Sequence, residues 1–115
     1  MFAAENGAGR IIAVEPIHEL KRCLEKTFSE FYAATEFRCV EGMIGGNSGY
    51  APFTCNDRHP CESGPGAPGG VSRTLPVTTL DQIADEYKLQ GPGFVKMDIE
   101  GSEIGALRGG RGVLD

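Results

Sequence analysis

The chain has 115 residues, with 11 Lys and Arg against 16 Asp and Glu, and a net charge of −5. That balance argues against a basic face for nucleic-acid phosphates and against a polybasic membrane anchor, so neither partner is expected. A chain of this length buries roughly two-thirds of its unfolded surface, which suits one core, and a single domain over residues 1–115 is expected.

Before the first strand, the segment 1–7 lacks a charged leader followed by an apolar stretch. No apolar run approaches the ~20 residues of a membrane span. Without a signal peptide, the four cysteines fit a reducing compartment, and a cytoplasmic location is expected.

Residues 10–14 form a β-branched run between Gly9 and Pro16 and read as a buried parallel strand. Pro16 suits the first turn of a helix, where its missing N–H costs nothing. Ile17, Leu20, Leu24, Phe28 and Phe31 then recur at helical spacing and predict one apolar helix face. Residues 37–44 read as a second strand. The turn 45–49 is expected to return residues 50–54 as a hairpin arm. Residues 55–72 are rich in Gly, Pro, Ser and charge without periodicity, and read as an irregular loop. Thr79 and Gln82 fit a capping box at the start of a short helix with Leu80, Ile83, Ala84 and Tyr87 inward. Residues 94–99 read as the next strand, and residues 102–108 as a short helix ended by Gly109 and Gly110. This alternation argues for an α/β fold with a parallel sheet.

Three groups of residues could carry chemistry. Glu15 closes the first strand. In a sheet of this class an acid there can accept hydrogen bonds from both hydroxyls of a ribose. The alternative is a carboxylate that favours the following helix N-terminus. The second group is Asp98, Glu100 and Glu103 around Gly101. Ligands of open α/β sheets sit outside the carboxyl ends of strands. Carboxylates there could orient an acceptor hydroxyl or take its proton; as helix-start acids they could equally be caps and dipole partners. Lys96 lies in an otherwise apolar run, so it needs an acidic partner or a path to water. The third group, Cys55, His59 and Cys61, has metal-type residues without paired Cys-x-x-Cys spacing, and free thiols in a loop are the expected reading. No metal is expected. Neither a Gly-x-Gly-x-x-Gly nor a Gly-x-x-x-x-Gly-Lys-Ser/Thr pattern occurs.

Several of these segments together resemble the FkbM-type methyltransferases. The likeness runs from residues 11–16 through the strand at 38–44 and the turn at 47–49. It is strongest over Thr78, Thr79, Leu80 and Asp81, then over the Lys-x-Asp-x-Glu-Gly-x-Glu pattern of Lys96, Asp98, Glu100, Gly101 and Glu103, then over Leu107, Arg108 and Gly109. The resemblance implies a Rossmann-like, mostly parallel sheet. It implies S-adenosylmethionine as cofactor and O-methylation of a small or glycosidic acceptor. Glu15 inherits the ribose contact. Asp98 inherits a place beside the cofactor's reactive end, as both cofactor-binding and catalytic residue, and Glu100 a catalytic role on the acceptor side. The family's first strand and its Asp-x-Gly-x-x-x-Gly loop would precede residue 1, and its last strands would follow Asp115. The expectation is thus a partial domain, truncated at both ends, that binds the cofactor weakly when alone. Two rival readings are a non-catalytic remnant acting as a binding module and a nicotinamide-dependent dehydrogenase. Glu15 would suit the dehydrogenase, but the acidic run would not.

Overall fold

A computed structural model describes residues 1–56, 63–65, 68–91, 93–99 and 101–115. It divides into two compact units, residues 1–42 and 43–115. The chain is a mixed α/β protein with short sheets.

In the first unit, α1 (Phe2–Glu5) precedes β1 (Arg10–Glu15), α2 (His18–Phe31) and β2 (Glu36–Glu41). β1 and β2 pair in parallel, from Arg10 opposite Glu36 to Glu15 opposite Glu41. Strand side chains alternate between faces, and α2 identifies which face it covers. The Phe28 ring stacks on Phe37 at 4.0 Å between centroids, with Tyr32 at 5.2 Å from Phe28. The covered face therefore carries Ile11, Ala13 and Glu15 from β1, and Phe37, Cys39 and Glu41 from β2.

The helix is where the sequence places it, but its inward face is rotated. Phe28 is buried, whereas Phe31 is 74% exposed. Tyr32 takes the inward place because it lies four residues beyond Phe28, over the same stripe. Pro16 precedes the helix, and Ile17 is its N-cap residue.

The expected single strand over 37–44 is broken at Gly42. That residue adopts φ +147°, a backbone region that favours glycine. Its N–H donates to the Glu15 carbonyl at 3.2 Å. β2 ends before it, and β3 (Met43–Ile44) belongs to the sheet of the second unit.

That sheet has the order β3-β5-β4, with β4 (Gly49–Cys55) and β5 (Val71–Thr78). The hairpin expected between 37–44 and 50–54 is therefore corrected. β4 pairs antiparallel with β5, and β3 pairs parallel with β5 through Met43 and Ile44. Parallel pairing with β3 begins at Val77, one residue after Pro76, which has no N–H to give. Pro52 sits on β4, an edge strand, where proline is tolerated. The limits of the irregular loop move inward, since Cys55, Val71 and Ser72 are strand residues. Thr54 and Gly64 exchange backbone hydrogen bonds at 3.1 and 3.0 Å.

Phe53, Cys55 and Leu75 share the buried face of the β4–β5 pair. Ile83 of α3 (Leu80–Glu86) and Ala106 of α4 (Glu103–Arg108) complete the buried apolar set of this unit. A last turn, α5 (Arg111–Leu114), follows.

Residues 94–99 form no strand. A strand exists through ladder bonds to a neighbour, and these residues find no ladder partner among the described residues. A strand's period of two nevertheless persists. Val95, Met97 and Ile99 are half-buried, while Phe94, Lys96 and Asp98 are exposed.

Candidate functional site

The carboxyl ends of β1 and β2 bring two acids side by side, because Glu15 and Glu41 are register partners on the α2 face. Glu15 is held locally: its Oε1 accepts the Ile17 N–H at 2.8 Å. The contact is the one expected of a carboxylate at a helix entrance. One oxygen serves the entrance to α2, and no hydrogen bond to Oε2 is found among the described residues. Burial raises the Glu15 pKa, and the Ile17 hydrogen bond works against that rise. A partly desolvated carboxylate makes stronger hydrogen bonds to neutral donors than a fully hydrated one.

Glu41 has its own partner, with His18 Nδ1 2.8 Å from its Oε2. Sequence reasoning missed both residues. It singled out no role for His18 and ran the second strand past Glu41. The available signal was that Arg10–Glu15 and Glu36–Glu41 both end in glutamate at one register position.

Further along the same face, Lys21 Nζ bonds Glu25 Oε1 at 2.7 Å. Burial pushes the Cys39 thiol up from 9.0 to about 11; Glu25 adds to the rise, Lys21 opposes it, and Glu15 and Glu41 add smaller contributions. Burial thus disfavours the thiolate, the nucleophilic form of the side chain, and Cys39 is read as part of the packing.

In the second unit, Asp98 is exposed and its Oδ2 lies 3.4 Å from Lys96 Nζ. Both outcomes open to Lys96 are met, an acidic neighbour and exposure to water. An exposed pair of this kind contributes little to stability and leaves the carboxylate open to a ligand. Glu103 Oε2 accepts the Gly101 N–H at 2.8 Å, a structural contact just ahead of α4 rather than a cap of its first turn. Gly101 itself adopts φ +93°. Glu100 lies outside the described residues, as do His59 and Cys61 of the cysteine-containing segment. Cys55 is a free, buried thiol. Among the described residues, no group of His, Cys, Asp and Glu is placed to hold a metal ion, and no helix is long and apolar enough to cross a membrane. Glu15 belongs to the first unit and Asp98 to the second, and each is described within its own unit.

Two of the segments that carried the resemblance form a clamp. Thr79 caps α3: its Oγ1 accepts the Gln82 N–H at 3.1 Å, and the Gln82 side chain accepts the Thr79 N–H at 3.1 Å. Two residues on, the Asp81 carboxylate accepts the Gly112 and Val113 N–H groups at 3.2 and 3.0 Å. The Asp81 N–H donates to the Gly109 carbonyl at 3.0 Å. Gly109 packs so closely on the Gly45 carbonyl and on Thr79 that a side chain there would collide.

A family model described as the Methyltransferase FkbM domain matches residues 1–115. Among curated proteins and among solved structures, none matches the chain. With the model spanning the whole sequence, the chain belongs to the FkbM methyltransferase family.

Proposed function

We propose that this chain carries the nucleoside-binding part of an S-adenosylmethionine-dependent methyltransferase acting on a hydroxyl of a small or glycosidic acceptor. The observation that carries the reading is Glu15: a half-buried carboxylate at the end of a parallel strand, with one oxygen held by the Ile17 N–H. The parallel β1–α2–β2 arrangement supports a Rossmann-like sheet, in which such an acid faces the ribose diol.

The fit to the cofactor is good at its nucleoside end. When bound, the cofactor supplies a methyl group on a positively charged sulfur. The chain's own contribution is positional and electrostatic. Glu15 accepts hydrogen bonds from the ribose hydroxyls through Oε2. Asp98 and Glu100 orient the acceptor hydroxyl, and one of them takes its proton as the oxygen becomes nucleophilic. Asp98 suits this role because its only described partner is a solvent-exposed lysine.

The test is a titration followed by amide NMR, with adenosine, 2′-deoxyadenosine and S-adenosylhomocysteine as probes. Adenosine and S-adenosylhomocysteine should bind alike and move the Ile17 amide signal. 2′-Deoxyadenosine should bind about tenfold more weakly, in line with one lost charge-assisted hydrogen bond. Equal binding of adenosine and its 2′-deoxy analogue, or no response at Ile17, would remove Glu15 from the ribose site.

A further inference from the structure

The chain holds a linkage that reaches Glu15 from the neighbouring strand. Glu41 ends β2, and its Oε2 lies 2.8 Å from Nδ1 of His18, the first residue of α2. Ile17, the residue before it, donates its N–H to Glu15 Oε1 at 2.8 Å. The Gly42 N–H donates to the Glu15 carbonyl at 3.2 Å, so the main chain of β1 is fixed from the same strand end. The Glu15 carboxylate is therefore oriented through a contact made by a side chain that never touches it.

We infer that His18 is a positioning residue for nucleoside binding: by tying the first turn of α2 to Glu41, it holds the Ile17 N–H on Glu15 Oε1 and leaves Oε2 facing the ligand. This rests on the reading of Glu15 given above. The geometry explains why two register-paired glutamates can sit together at one strand end. Each has a donor of its own, Ile17 N–H for Glu15 and His18 for Glu41, so like charges at this spacing are offset rather than left opposed. It also explains why an exposed side-chain contact, worth little to stability by itself, matters here through the backbone group next to it.

The direct readout is hydrogen exchange of the Ile17 amide in the full chain, which needs no ligand. His18→Ala should speed that exchange about five- to tenfold, the factor that follows from loosening one hydrogen bond. Exchange at Leu24 and Phe28 should stay unchanged, showing α2 intact. His18→Asn, whose amide nitrogen can occupy the Nδ1 position, should restore slow exchange at Ile17. Glu41→Gln should give an intermediate rate, and His18→Ala combined with Glu41→Gln should be no faster than His18→Ala alone. Unchanged Ile17 exchange in His18→Ala, or failure of His18→Asn to restore it, would overturn the linkage. Adenosine titration separates the two ideas. If Glu15→Ala binds adenosine as the parent does, the nucleoside reading falls, and Ile17 exchange still decides whether His18 orients Glu15. If Glu15→Ala weakens adenosine binding while His18→Ala does not, the nucleoside reading stands and the positioning role is refuted.

Discussion

Replacing Asp81 with alanine tests whether the Thr-Leu-Asp segment is structural. Its carboxylate accepts two backbone N–H groups, Gly112 at 3.2 Å and Val113 at 3.0 Å. They belong to the first turn of α5 (Arg111–Leu114), which has no other side-chain cap, and the Val113 N–H is shared with the Gly110 carbonyl at 3.1 Å. A capping side chain typically contributes about 1 kcal/mol and seldom more than about 2. Hydrogen bonds to a charged group reach about 1.5–3 kcal/mol each when buried, but the Gly112 bond is exposed. Asp81→Ala should therefore cost about 1–2 kcal/mol. Asp81→Asn keeps one acceptor oxygen and should cost about half as much. The Asp81 N–H to Gly109 carbonyl bond survives both changes, so a larger loss is not expected. Urea unfolding followed by circular dichroism gives the stabilities, and amide exchange at Gly112 and Val113 gives the local effect. An unchanged midpoint with unchanged exchange at those amides would refute the clamp, as would Asp81→Asn behaving no better than Asp81→Ala.

Other substitutions probe the same physical picture. Gly109→Ala would drive a methyl into the Gly45 carbonyl and to 3.1 Å from Thr79 Cβ; a loss of about 1–3 kcal/mol is expected from overpacking, with Gly9→Ala, which meets nothing within 4 Å, as the near-neutral control in the same urea series. For Cys39, the folded thiol titrates near 11 against 9.0 for the free group. The folded state therefore holds its proton longer, and the stabilisation present below pH 9 is lost as pH rises toward 11. Stability curves of the parent and Cys39→Val between pH 8 and 11 should converge in slope below about pH 9 and diverge above it; parallel curves throughout would show the thiol is not desolvated.

Local signals made part of this molecule legible and left the rest hidden. β1 and α2 were visible because a β-branched run and a three-to-four spacing are properties of neighbouring residues, and the Thr79–Gln82 capping box is complete within four positions. β5 was overlooked although Val71, Arg73, Leu75 and Val77 alternate with Ser72, Thr74, Pro76 and Thr78. An arginine on one face and a proline on the other blur that period, and its partner β4 lies across a long connection. The break at Gly42 was likewise invisible, because only the turn of the backbone there separates two sheets from one continuous strand. The pairing of Glu15 with Glu41 is a matter of register, which no single segment encodes. Family signatures compound the difficulty, since they mark residues that vary little without saying what each one does. In this chain the Thr79–Asp81 segment and Gly109 are occupied with each other, and Glu103 is occupied with Gly101. Subtracting those structural duties from the signature leaves Glu15, Asp98 and Glu100, and it is on them that the proposed chemistry depends.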